Sequence, residues 1–212
     1  VELMNIGVQF LREHMPDHDR IHYAITDAGG NSPNVVQPHA RVLYMVRSEL
    51  SKNVRKLQAR VDKIAEAAAM MTETKMEKRF IDGCGNTVPN LVLEKLMYKN
   101  FEEVGVPTYT PEEIAYAQAI VDGYELPSDG LPGRGDFYED PESQKYIAEK
   151  SNNGKKPLND FLMPFVHSNQ MSAGSTDVGD VSWLVPTVQW SADGFISDAP
   201  GPSWQNVSSG CT

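Results

Sequence analysis

At 212 residues the chain is long enough for about two domains, and 40% hydrophobic residues give it the apolar side chains to build their cores. A formal net charge of −10 disfavours nucleic acid or an anionic membrane as a partner, because a polyanion is repelled by both. No apolar run is long enough to span a bilayer, no signal peptide is evident, and Cys84 and Cys211 alone do not suggest a disulfide framework, so a soluble globular chain in a reducing cytoplasm is expected.

Residues 1–15 read as an amphipathic helix with Leu3, Met4, Val8, Leu11 and Met15 inward. It opens with neither a capping residue nor an initiator Met, so the chain is expected to start inside an element. Pro16 and the polar run Asp17-His18-Asp19 end this helix, which keeps His14 and His18 from sharing a helical face. The five histidines, His14, His18, His22, His39 and His167, show no His-Glu-x-x-His spacing, and no metal site is expected on this chain.

Strands follow at 21–26 and 41–48. In the second, Val42, Tyr44 and Val46 point one way and Leu43, Met45 and Arg47 the other, so the Arg47 guanidinium shares a largely apolar face. Between the strands, Gly29-Gly30 can take positive φ and let backbone approach a ligand or a second chain, and Asn34 offers a neutral amide. On pattern alone the glycine pair makes an ordinary loop and Arg47 is a surface charge at a strand end.

The helix at 51–71 has Val54, Leu57, Val61, Ile64, Ala65, Ala68 and Met71 at spacings of three and four, with Ser51 as its expected cap. Lys52, Arg55, Lys56, Arg60 and Lys63 form its solvated face. A strand at 75–82 comes next. Helix, strand, strand, helix, strand is a split βαβ, ferredoxin-like unit without its first strand, which leaves a sheet edge open.

Beyond Val88 helices are expected at 91–104 and 111–124, the latter opened by Thr110-Pro111-Glu112-Glu113, a capping box with proline at the first helical position. Residues 125–156 read as a long loop, with turn signals at Leu126-Pro127-Ser128-Asp129-Gly130. Asp177 and Asp180, three apart near two glycines, leave open a cation site or a polar turn. Trp183, Trp190 and Trp204 read as core anchors. The sequon at Asn206 matters only in a secreted chain.

Several segments together resemble the zinc amidohydrolases of the aminoacylase and carboxypeptidase superfamily, and among them the p-aminobenzoyl-glutamate hydrolases. They are Val1-Glu2-Leu3-Met4, Ile21-His22-Tyr23-Ala24-Ile25-Thr26, Ser32-Pro33-Asn34-Val35-Val36, Lys63-Ile64-Ala65-Glu66, Met71-Thr72-Glu73-Thr74 and Ser175-Thr176-Asp177-Val178-Gly179-Asp180-Val181-Ser182-Trp183. The resemblance covers residues 1–87 and 172–186. It implies a mixed α+β and α/β chain, with a ferredoxin-like lid (dimerisation) domain at 1–87 and, at 88–212, an incomplete fragment of an α/β metallohydrolase catalytic domain.

In that superfamily the lid carries an Asn and an Arg that bind the substrate carboxylate, often across a dimer interface, and Asn34 and Arg47 match them beside Gly29 and Gly30. Ser175, Thr176 and Asp177 match a segment that structures the substrate pocket. Many relatives place a His before the glycine pair to hold an oxyanion, where this chain has Ala28. The resemblance further implies two divalent metal ions, zinc or manganese, in the complete parent enzyme and none on this fragment. It implies cleavage of an amide bond to an amino acid, with p-aminobenzoyl-glutamate or a similar N-acyl amino acid as substrate, and a fragment inactive by itself. The partners expected are a second copy through the lid, giving a homodimer, or a homologue of the companion A subunit of such hydrolases, giving a heteromer. The alternative is a stand-alone dimerising, ligand-binding module without catalysis.

Overall fold

The computed structural model describes residues 1–124, 131, 138, 140–168, 170–171, 174–192, 194–199, 201 and 203–210. The chain divides into two compact units, Val1–Val88 with Ala173–Val185, and Pro89–Ser172 with Pro186–Thr212. The segment Ala173–Val185 therefore belongs with the first unit, although in sequence it lies far inside the second.

The first unit begins with α1 (Glu2–Arg12), β1 (Arg20–Asp27), β2 (Arg41–Arg47) and α2 (Ser51–Met71). β1 and β2 form a two-stranded antiparallel sheet in which Ile21 faces Val46 and Tyr23 faces Tyr44. The alternating apolar residues of β2 turn inward as the period of two requires. Ile21 joins Val8 and Leu11 of α1 and Leu57 and Val61 of α2 in a buried cluster, with Tyr44 and Val46 packed against it. Burying such a side chain stabilises by about 1.5–3 kcal/mol, so the cluster rather than ladder bonds holds this short sheet to its helices. One polar pair crosses the layer: the Tyr44 hydroxyl donates to Oδ1 of the buried Asn5. Burial pushes the Tyr44 hydroxyl up to about 12.

α1 ends at Arg12, so His14 and His18 lie beyond it and share no helical face. α2 spans 51–71 as its periodicity predicts, but Ser51 is not its cap. Leu50 holds the N-cap position with no capping side chain, and Asn86 Oδ1 accepts instead from the Ser51 backbone N–H at 3.1 Å and its hydroxyl at 3.0 Å. The first N–H groups of a helix need an acceptor from somewhere, and here it comes from a distant loop.

The strand expected at 75–82 does not form. Neighbouring residues in a strand face opposite sides, and both Phe80 and Ile81 are exposed, at 75% and 70%, so neither side is buried. Lys78 reaches across to Asp62 of α2 at 2.6 Å instead. Among the described residues the sheet has two strands, and the order is helix, strand, strand, helix.

In the second unit α3 (Leu91–Val104) is capped by the Asn90 side chain, and α4 (Pro111–Val121) carries the full Thr110–Glu113 capping box with Pro111 at its start. Ala117, Ile120 and Ile196 form a buried cluster with Val121, Tyr124 and Leu158 around it. The loop expected over 125–156 contains a helix, α5 (Pro141–Lys150), and most of what precedes it lies outside the described residues. Asp140 accepts from the Ser143 N–H at 2.7 Å, Pro141 starts the helix, and Ile147 is fully buried. α6 (Val178–Ser182) belongs to the first unit, and α7 (Trp204–Ser209) to the second.

The tryptophans are not core anchors: Trp183, Trp190 and Trp204 are 61%, 53% and 67% exposed. Trp183 spends its N–H on a backbone carbonyl, and Trp190 meets Phe101 edge-on at 5.1 Å, so the rings lie on surfaces. No described helix is long and apolar enough to cross a membrane.

Candidate functional site

The β1–β2 hairpin has two ends, and the residues singled out from the sequence are divided between them. At the loop end the register shifts between Ile25 and Asp27, a bulge that sets Asp27 opposite Arg41. Asp27 Oδ1 accepts from the Gly29 N–H at 2.7 Å, and Oδ2 lies 2.9 Å from His39 Nε2. The Gly29 N–H, then His39, then the charge of Arg41 hold the Asp27 carboxyl below its ordinary value. Gly29 has a φ of 85°, and a Cβ there would stand 2.2 Å from the His39 carbonyl oxygen, so only glycine fits. The loop folds on itself, with Val35 N–H and Gln37 Nε2 both donating to the Ser32 carbonyl at 3.3 Å. Asn34 sits in this loop. Ala28 has no ring to offer, and the imidazole of this loop is His39, one edge of which is committed to Asp27.

The open end is different. Arg20 and Arg47 lie directly opposite each other, on the face away from the core, because their neighbours Ile21 and Val46 form the adjacent inward pair. Like charges opposed across a ladder destabilise it. Arg20 Nη1 donates to the carbonyl of Asp19 at 2.7 Å and to that of Asp17. Arg47 is half-buried and, among the described residues, its guanidinium has neither a hydrogen bond nor an ion pair. The neighbouring carboxylate of Glu49 faces His18 Nδ1 at 3.6 Å. Between the arginines and the loop, Leu43 and Met45 stand 46% and 59% exposed. The outer face thus carries Leu43, Met45 and, opposite Met45, the exposed His22, and it ends in two arginines.

Arg47 stands roughly 20 Å along β2 from Arg41, where the Asn34 loop enters. One hairpin therefore does not bring Asn34 and Arg47 to the same point. Arg20 escaped sequence reading because its importance depends on register, which pairs it with Arg47. The Asp27–His39 pair escaped because it joins residues twelve apart across a loop.

No family model matches the chain. It is 39% identical over 220 aligned residues to the B subunit of p-aminobenzoyl-glutamate hydrolase from Escherichia coli strain K12, a match covering 100% of this chain and 44% of that protein. The chain is a homologue of that hydrolase component. It spans less than half the length of this curated relative.

The segment around Asp177 is fastened to the loop at 85–88. Asp180 Oδ1 accepts from the Gly85 N–H at 2.9 Å, Ser182 Oγ accepts from the Val88 N–H at 2.8 Å, and Trp183 Nε1 donates to the Asn86 carbonyl at 2.8 Å. A Cβ on Gly179 would lie 2.0 Å from the Gly85 carbonyl oxygen, so the two backbones touch there. Asn86 in turn caps α2, which links this segment to the hairpin's own helix. Of the two readings left open for the aspartates, the polar turn fits: Asp180 serves a backbone amide. Among the described residues no three His, Cys, Asp or Glu side chains gather as a metal site. Thr176 Oγ1 accepts from the Val178 N–H at 3.3 Å, while Asp177 makes no cap for α6. No hydrogen bond among the described residues joins Ser175, Thr176 or Asp177 to Asn34 or Arg47.

Proposed function

We propose that the chain is part of a metal-dependent amidohydrolase of the aminoacylase and carboxypeptidase superfamily, cleaving the amide bond of an N-acyl amino acid such as p-aminobenzoyl-glutamate. The observation that carries this reading is the half-buried, unpaired Arg47 in a chain 39% identical along its whole length to a component of such a hydrolase. Residues 1–87 serve as a ferredoxin-like lid and residues 88–212 as part of the catalytic domain. The described residues do not supply a ligand set for two metal ions.

The role left to this chain is to bind and orient. A guanidinium that is already partly desolvated gains most from a carboxylate, because its planar fork takes both oxygens at once and little water remains to compete. Fixing the free carboxylate of the substrate places the scissile amide at a constant distance from that anchor. Asn34 can join the same carboxylate if it comes from a second copy, since one hairpin holds it at the opposite end from Arg47. A homodimer through the lid answers that geometry. A homologue of the companion A subunit is the further partner, since the relative is itself one component of a hydrolase with more than one kind of chain.

Mixing tests the arrangement. Asn34→Ala and Arg47→Ala chains of the complete enzyme should each hydrolyse p-aminobenzoyl-glutamate poorly, and their mixture should regain activity because a mixed dimer contains one intact site. Equal defects with no recovery on mixing would place both residues in one protomer's site. An Arg47→Ala enzyme with kcat/KM within twofold of the parent would end the carboxylate role.

A further inference from the structure

We infer that Arg20 is a specificity residue that selects substrates carrying a second carboxylate on the amino-acid side chain. This rests on the reading of Arg47 as the anchor for the free α-carboxylate.

By register Arg20 and Arg47 are a directly opposed pair on the outer face of the hairpin, so their side chains leave the sheet from adjacent points, about 4.5–5.5 Å apart at Cβ. Such a placement repels unless anions enter between the cations or beside them. Neither side chain has a carboxylate within ion-pair distance among the described residues. The anionic side chain nearest in sequence to Arg47, Glu49, lies 3.6 Å from His18 Nδ1. Asp19 is buried and lends Arg20 its backbone carbonyl.

The two arginines also differ in how they are held. Arg20 is tethered through Nη1 to the carbonyls of Asp17 and Asp19, two neutral acceptors that orient the group and leave its charge uncancelled. Its other guanidinium N–H groups make no hydrogen bond to the described residues, so a donor edge is available. Arg47 has no such tether and is free to follow the α-carboxylate. One anchored and one adaptable cation suit an amino acid with two carboxylates, while the apolar Leu43 and Met45 beside them suit an aryl or acyl group. A single carboxylate would neutralise only one of the two positive charges.

The experiment uses two ligands that differ only in the second carboxylate, p-aminobenzoyl-glutamate and p-aminobenzoyl-glutamine. Each is titrated calorimetrically into the chain and into its Arg20→Gln, Arg20→Lys and Arg47→Gln variants, with thermal melts to establish that each variant folds. The glutamate ligand should bind the parent chain at least tenfold more tightly than the glutamine ligand. Arg20→Gln should bring that ratio to within twofold of one by weakening the glutamate ligand alone. Arg20→Lys, which keeps the charge, should retain part of the preference and remains informative if Arg20→Gln does not fold. Arg47→Gln should weaken both ligands. If Arg20→Gln weakens both ligands equally or neither, Arg20 only fastens its turn and the inference is overturned, while the Arg47 reading stands. If Arg47→Gln changes neither affinity, or neither ligand binds, both readings fall.

Discussion

The two ends of one hairpin carry similar charges and use them in opposite ways. At the loop end His39 and Arg41 surround Asp27, whose carboxylate also takes the Gly29 amide, so the cluster satisfies itself. At the open end Arg20 and Arg47 face each other, and neither has a carboxylate within ion-pair distance among the described residues. By residue type alone, the histidine, aspartate and glycine cluster would rank as the richer chemistry. The contrast between the two ends teaches the reverse: a closed set of partners fixes a loop, and an unmatched charge held half-buried marks where a ligand is wanted.

Removing the support common to both ends should have the largest effect. Ile21 is 1% exposed at the centre of the cluster joining the sheet to α1 and α2, and Ile21→Ala should cost about 2–5 kcal/mol in urea denaturation. A loss under about 1 kcal/mol, well below the usual range for such a truncation, would mean that the sheet is not held from below. Arg47→Ala acts on one end only. Losing hydrogen bonds to a charged group costs about 1.5–3 kcal/mol, so KM in the complete enzyme should rise tenfold or more with kcat within twofold. Unfolding in urea should be unchanged, which separates this variant from Ile21→Ala.

Gly29→Ala strikes the other end, because the new Cβ would overlap the His39 carbonyl and the φ of 85° strains any side chain. Limited proteolysis should cut the loop faster, and carboxylate binding should weaken less than in Arg47→Ala, because only the Asn34 contribution is disturbed. The smallest change is expected from Asp27→Asn. A carboxyl held below its ordinary 3.8 contributes stability that is present above that pH and is lost as pH falls through the lowered value. The difference in melting temperature between parent and Asp27→Asn should therefore be largest near neutrality and shrink below about pH 4. A difference that stays constant down to about pH 2 would show that the Asp27 carboxylate does not bind the loop.

Much of the local structure was legible because its causes lie within a few residues. The α2 span follows from apolar spacing, and the start of α4 follows from Thr110-Pro111-Glu112-Glu113. Asp140-Pro141-Glu142 has nearly the same grammar and starts α5, yet the surrounding Gly and Pro residues hid it. The outward position of Arg47 could be read from alternation alone. Its opposition to Arg20 could not, since a slip of one residue would have turned every side chain to the other face.

The sequence by itself determined the first four helices, the Thr110 capping box and the face on which Arg47 stands. Tertiary structure decided that 75–82 stays outside the ladder, that Asn86 caps α2 from a distant loop and that Asp180 of the 175–183 segment holds a backbone amide. It also decided which cations met a carboxylate and which did not. The physical reason is range: periodicity and capping are settled within a turn or two of chain, whereas pairing, register and charge neutralisation depend on residues that only folding brings together.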